Sequence, residues 1–497
     1  MREKLLAIPL AKALAGMVAA AILFFLITAA FGLFNPRDTS QPEGAVVAAA
    51  LRVAHGEPLY LDVHKGPYVT AMYGPLLYAV LGFLARITGS GVEGAYLAGR
   101  LVSLLSALAC AGLVAWLSRR HGAARPAAWI AAGLFLASPL ILPVAYSSRS
   151  DVPALALSLA GLAWFERWSG SPLGMLAALP LVAAAFTKQT ALGAAAAIVL
   201  FLLVSGKPAR ALLFFAAVAA PCAAILFFLS RATGGLARVN LLEVPGASPL
   251  SFVSRPLGGL SAFLAMAALP LILSARLLPR LLRWDRTLRL PVCYLAVALA
   301  VSAAASAKLG SDFYYFMEPL AATLILTGVS LTSLLEGTAR RLEEKEALLA
   351  AGVFGILLAG SIGATARMGE YAYQSNREVI RLAAAAPGDV LIEDENVALK
   401  CGKPLTMMDP FAFAYMQRRG RWDAEPLNRR ILERDFGVIV LRSPVEHPSH
   451  YQGETYWADT TLAAIGRAYR PEGIVDGYVI YRPRLEPPSV ARQGDRS

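Results

Sequence analysis

Charge is scarce in this chain. Asp, Glu, Lys and Arg make up 16% of its 497 residues, against about 25% in ordinary soluble domains. With 57% apolar residues and a mean hydropathy of +0.55, that scarcity excludes a wholly soluble protein. The four cysteines build no disulfide framework, because Cys110, Cys222 and Cys293 fall inside apolar blocks and Cys401 stands alone in a polar region. Redox chemistry and a cysteine-ligated metal are therefore not expected. The polar C-terminal part also lacks a glycine-rich phosphate loop and any His/Cys set at metal-ligand spacing. Acidic residues are the minority, 34 against 46 Lys and Arg for a net charge of +12. Much of the basic excess sits in short loops between apolar blocks, where it orients a membrane protein, so nucleic acid is not an expected partner.

What the chain does have is long apolar blocks, most of them near the length needed to cross a hydrocarbon core of about 30 Å. Crossings are placed at 13–34, 95–117, 126–145, 152–168, 172–187, 190–205, 209–229, 257–279, 290–307, 314–335 and 347–366. The first follows Arg2, Lys4 and Lys12 and is too long for a signal segment, which makes it a retained span. The block 71–89 is read as a re-entrant or interfacial helix started by Tyr73-Gly74-Pro75. With it omitted, the loops on one side hold fourteen basic residues, among them Arg119, Arg120, Arg125, Arg280, Arg283 and Arg286. The opposite short loops hold six, namely Arg149, Lys188, Arg231, Arg238, Arg255 and Lys308. The richer side, with the N-terminus, is expected in the cytoplasm and the C-terminal domain outside, in a bacterial inner (plasma) membrane.

The expected fold is mainly α: a polytopic transmembrane helical bundle of about 11 spans plus interfacial helices, with a small C-terminal extracytoplasmic α/β domain. The bundle covers 1–367 and includes a first external loop at 35–94, the α/β domain covers 368–482, and 483–497 form a disordered tail. Strand-like runs at 389–393, 436–441 and 477–481, separated by helix-like stretches such as 427–435, carry the α/β assignment.

Polar residues that orientation does not explain gather on the external side. They are Arg37-Asp38 and Glu43 after the first span, His64 and Tyr73 further along the loop, Arg149-Ser-Asp151, Thr187-Lys188-Gln189, and Lys308 through Asp312, Tyr314 and Tyr315 to Glu318. Each has a plainer reading: the cations snorkel, Asp151 caps the following helix, His64 is a loop residue, and the tyrosines are interface aromatics. Glu43, at the start of an Ala-rich helix over 45–54, is the hardest to dismiss. Ionisable groups between crowded helices cost several kcal/mol unless paired, so four such clusters on one face point to a site. Cations there would neutralise a lipid-borne phosphate, and a carboxylate would take an acceptor's proton. That chemistry suits single-displacement, inverting transfer of a sugar from a polyprenyl-phosphate donor. A transporter or flippase of a lipid-linked envelope precursor, or a non-catalytic assembly scaffold, are the rival readings.

The residues resemble the GT-C superfamily of polytopic glycosyltransferases, in particular bacterial relatives of protein O-mannosyltransferases and the lipid A aminoarabinose transferase. The stretch from Glu43-Gly44 through Gly56, Pro58, Tyr60 and Asp62 to Pro67-Tyr68 and Tyr73-Gly-Pro75 is similar to the first external loop of that group. Arg149-Ser-Asp151, Thr187-Lys188-Gln189, Lys308-Leu-Gly310-Ser-Asp312, Tyr315 and Glu318-Pro319 recur there in the same order, over roughly residues 10–370. The resemblance implies a lipid-linked donor between the bundle and the first loop, membrane lipid around it, and an acceptor whose identity stays open. It also implies an Asp base just before a Glu-Gly pair. That position is Pro42 here, so the role passes to Glu43 first or Asp38 second, with Asp151 orienting the acceptor or helping to hold a divalent ion. Arg149, Lys188 and Lys308 become donor-phosphate contacts, and His64, Tyr73, Gln189, Asp312 and Tyr315 line the substrate pocket.

Overall fold

A computed structural model describes residues 2–40, 43–87, 89, 91–246, 254–308, 310–336 and 376–484. The first part of the chain is helical: α1 (Arg2–Leu33), α2 (Glu43–Ala54), α3 (Pro75–Ile87), α4 (Val92–Arg120), α5 (Arg125–Ala137), α6 (Asp151–Trp168), α7 (Ala178–Ala185), α8 (Gly193–Val204), α9 (Pro208–Ala232), α10 (Ser254–Met266), α11 (Ala268–Ala275), α12 (Arg289–Ser306) and α13 (Met317–Glu336). Punctuation residues set the boundaries. α5 stops at Ser138, whose extended ψ of 134° is what the following Pro139 demands, and α9 begins on Pro208 with Pro221 inside it.

Among the described residues four helical segments are long and apolar enough to cross a membrane: Val92–Arg120, Pro208–Ala232, Arg289–Ser306 and Phe313–Ser333. The pair α10 and α11, bent by 73° at the break between them, makes a fifth. The apolar stretches at Val18–Leu33, α3, α5, Pro172–Ala185 and α8 are shorter. The protein is thus a multi-pass helical bundle, but several of the eleven expected crossings are helices too short to span alone. The crossing expected at 347–366 lies outside the described residues, as do the start of the domain expected from 368 and all of the tail expected at 483–497 except its first two residues, of which Pro483 ends the last strand.

Small residues let the helices approach closely, as membrane bundles require. α4 packs on α5, α6 and α13, and α8 on α12. A Cβ added at Gly133 would meet Val18 at 2.2 Å, and one at Gly328 would meet Ser118 at 2.8 Å. α6 runs 18 residues, about 27 Å at a rise of about 1.5 Å per residue, between two different ends of the bundle. At one end Arg120 pairs with Glu166 at 3.5 Å, His121 Nδ1 lies 2.7 Å from the Thr287 carbonyl, and Arg210 donates to Ser171 O at 2.7 Å. The arginine-bearing loops therefore meet there. At the other end lie Asp151 and the C-terminal layer.

That layer comprises α14 (Arg377–Ala385), β1 (Asp389–Ile392), α15 (Glu395–Lys400), α16 (Pro410–Arg418), α17 (Glu425–Leu432), β2 (Phe436–Leu441), the hairpin β3 (His450–Tyr451) and β4 (Glu454–Thr455), α18 (Asp459–Ala468), β5 (Tyr469–Val475) and β6 (Tyr478–Pro483). Its main sheet has the order β1-β2-β6-β5, with β1 parallel to β2 and the rest antiparallel. Alternation along the strands feeds two cores. Leu391, Ile439 and Leu441 join Phe413 and Ile465 on one face, and Val390, Ile392, Val438 and Val440 join Val379 on the other. The first external loop belongs to both, through Tyr68 and Val69. Its backbone is also stitched in: Tyr68 N donates to Thr406 O at 2.8 Å and Met408 N to Tyr68 O at 2.9 Å.

Candidate active site

The turn after α1 is built around an arginine. Arg100 sits within apolar α4 at 1% exposure, where an ionised side chain persists only if fully paired. It donates from Nε and Nη2 to Glu43 at 2.9 and 3.0 Å, and from Nη1 and Nη2 to the carbonyls of Asn35 and Arg37, each at 2.7 Å. Glu43, with no exposed surface, also accepts from Thr39 N at 2.6 Å, Thr39 Oγ1 at 3.0 Å and Ser148 N at 2.8 Å. Both its oxygens are thereby occupied. Arg100 escaped the sequence reading, although a lone arginine inside the block 95–117 is the kind of signal that marks such a partner.

Ser148 leads directly into the second cluster. Asp151 opens α6, accepts from Arg149 Nε at 2.8 Å through one oxygen and from Lys188 Nζ at 2.6 Å through the other, and is 5% exposed. Arg149 lies 5.0 Å from the Tyr314 ring centre, Lys188 4.4 Å and Lys308 5.8 Å from that of Tyr315. Asp151, Lys188, Tyr314 and Tyr315 border an open cleft of about 420 Å³ that Thr190, Ser302 and Glu318 also line. Asp312 caps the following turn by accepting from Phe313 N at 2.7 Å. Burial raises its carboxyl above the usual range, with Arg149 and Lys188 pulling it back. Burial also raises the Tyr73 phenol, which feels the charges of Arg149 and Asp151. Gln189 donates to Met72 O at 2.7 Å and so ties the tip of the helical hairpin to the first loop.

Asp38 differs from Glu43 in surroundings. It is partly exposed, and its Oδ1 accepts from Asn396 Nδ2 at 3.3 Å. Burial, then the charges of Glu43 and Asp394, push its carboxyl up to about 7, against the pull of Tyr96 and Arg100. Two carboxyls of the C-terminal layer behave alike. Burial followed by Asp409 and Asp38 drives Glu395 well up, and burial takes Asp409 to about 6.

The structure thus joins Glu43, Arg149, Asp151 and Lys188 through short contacts at one end of the bundle, with Asp38, Tyr73, Gln189, Lys308, Asp312 and Tyr315 at the same end. His64 is not with them: it is exposed, in a second cleft of about 400 Å³ with Asp62, Met416 and Arg421. Among the described residues no three His, Cys, Asp or Glu side chains gather as a metal-binding group, and Asp151 directs both oxygens at cations. With both oxygens taken by Arg149 and Lys188, Asp151 does not fit the role of a divalent-ion ligand.

Comparison with known proteins gives the fold. Residues 67–204 match the family model described as alpha-(1->6)-mannopyranosyltransferase, N-terminal domain. The fold is similar to that of ArnT from Cupriavidus metallidurans, solved in the apo state and bound to undecaprenyl phosphate, each at a TM-score of 0.61 and 16% identity over 94% of this chain and 98% of that one. It is also similar to the Archaeoglobus fulgidus oligosaccharyltransferase, with a TM-score of 0.57 and 13% identity over 92% of this chain and 73% of that one. No curated protein matches by sequence. The chain has the fold of the GT-C polytopic glycosyltransferases, as its loop motifs suggested.

Proposed function

We propose that this protein is an inverting membrane glycosyltransferase that moves a sugar, a mannose in the reading favoured by the family match, from a polyprenyl-phosphate donor to an acceptor hydroxyl. The observation that carries it is the linked constellation at one end of the bundle: Asp38 beside the Glu43–Arg100 anchor, and Asp151 aligning Arg149 and Lys188 at the rim of a cleft between helices. The donor's lipid tail lies in the membrane and its phosphate meets Arg149, Lys188 and Lys308. The acceptor oxygen attacks the anomeric carbon while its proton passes to Asp38. The bond from that carbon to the phosphate oxygen breaks, and its electron pair leaves with the phosphate, where preorganised cations are worth most. An α-(1→6) product formed by one displacement requires a β-linked donor and a primary hydroxyl at C6 of the acceptor.

Asp38 is the better base because it is partly exposed, whereas Glu43 has no exposed surface and both its oxygens are occupied. Glu43 then fixes the turn that presents Asp38. The site end lies opposite the arginine-bearing loops, which supports an N-terminus in the cytoplasm and chemistry on the outer face of a bacterial inner membrane. The eleven-span count, the domain limits and the role of the last domain in receiving the acceptor belong to the same reading.

The test is transfer by purified protein from a panel of labelled polyprenyl-phosphate sugars. The expected result is an α-linked mannosyl product from the β-linked mannose donor. No product from any donor, together with lipid-donor translocation across vesicles, would favour the flippase reading instead.

A further inference from the structure

The six-residue helix α15 joins the C-terminal layer to the start of the first loop. Its last residue, Lys400, pairs with Glu93 of α4 at 2.8 Å and donates to the carbonyl of Pro36. Its first residue, Glu395, accepts from Ala45 N at 3.0 Å. Gly44 permits this approach: a Cβ there would stand 2.5 Å from Glu395 Cβ, 3.0 Å from Asp38 Oδ2 and 3.2 Å from Glu395 Oε2. One oxygen each of Asp38 and Glu395 therefore borders the space that a methyl group on Gly44 would fill.

Asn396, next to Glu395 in α15, is 2% exposed. Its carbonyl oxygen accepts from Asn376 Nδ2 at 2.9 Å, which fixes the amide so that its nitrogen points at Asp38 Oδ1, 3.3 Å away. Glu395 is 5% exposed, and its Oε1 finds no hydrogen-bond partner among the described residues. A buried oxygen of that kind is costly, and the cost is smaller for a neutral carboxyl than for a carboxylate.

We infer that Asn396, a residue of the C-terminal domain, is a positioning residue for the Asp38 carboxylate. The inference rests on Asp38 being the proton acceptor of the proposed transfer. Asp38 is faced by Glu43 from α2, by Arg100 and Tyr96 from α4, and by Asp394, Glu395 and Asn396 from the C-terminal domain; Glu395 is faced in addition by Asp409 and Arg442. The amide of Asn396 favours the ionised form of Asp38.

The test is the pH profile of kcat for transfer by the full-length protein, comparing wild type with Asn396→Ala and Asp38→Asn. Asn396→Ala is expected to lower kcat about tenfold at neutral pH with the donor KM unchanged, and to move the acid limb up by roughly half a pH unit or more. A merely structural role would lower protein yield or thermal stability and leave that limb in place, which would overturn the inference. Retained transfer in Asp38→Asn would instead overturn the base assignment. Loss of transfer in Asp38→Asn, with an unshifted profile in Asn396→Ala, would sink the inference and leave the proposed function standing. Asn396→Asp, of nearly the same shape, separates folding from positioning: it is expected to fold, and to move the acid limb up because it sets a carboxylate against Asp38.

Discussion

Asp38 and Glu43 lie in one turn and meet opposite environments. Glu43 is held by an arginine that is itself buried. Removing one member of such a pair strands the other, at a cost of about 3–5 kcal/mol. Glu43→Gln should therefore appear first as a fall in thermal stability. Asp38→Asn should leave stability near wild type and cut transfer by roughly 10²–10⁴, the usual share of a general base. The reverse pattern would make Glu43 the base. Because Asp38 is pushed up to about 7 and must be ionised to take a proton, transfer should decline as pH falls through about 7. The same raised carboxyl binds more protons folded than unfolded between its ordinary range and about 7, so its contribution to stability falls as pH rises through that window. Asp151 aligns two cations, and Asp151→Asn should weaken donor binding more than it slows the bound complex, read as a raised donor KM.

Elements were legible where local pattern decides them. The strands near 389–393, 436–441 and 477–481 stand close to where β-branched runs placed them, and 71–89 gives the 13-residue α3, too short to cross. The strand β5, Tyr-Arg-Pro-Glu-Gly-Ile-Val, escaped notice because Pro471 and Gly473 break its alternation and its pairing to β6 is tertiary. Crossings at 126–145 and 257–279 read as continuous apolar blocks, yet the backbone breaks at Ser138-Pro139 and at Ala267. The four external clusters were visible as charge out of place. Their partners were not, because Arg100, Glu395 and Asn396 are joined to the first loop by contacts of 57 to 358 residues in separation. Glycines carry part of that closeness. Gly44→Ala would drive a methyl into Glu395, and a displacement of about 1 Å at the base would cost on the order of a hundredfold in transfer. The corresponding control, Gly56→Ala, adds a methyl in open space, although the positive φ of 75° there strains the turn; it should lower stability and leave the transfer rate of the folded fraction intact.

At the scale of the whole molecule, function depends on one end of the bundle being unlike the other. Arginine loops meet at the end bearing Arg120 and Thr287, while Asp38, Asp151, Lys188 and the α/β layer share the opposite end. Cysteines introduced at Arg283 and at His447 should react with an impermeant reagent from opposite sides of the membrane, the second from outside. Labelling of both from one side would undo the orientation. The most direct measurement of the central claim is the initial rate of mannose transfer from a β-linked polyprenyl-phosphate donor by purified wild-type protein and by Asp38→Asn, each checked for donor binding. The account predicts an α-linked product from the wild type and a loss of at least about a hundredfold in the variant with donor binding retained; equal rates in the two proteins would contradict it.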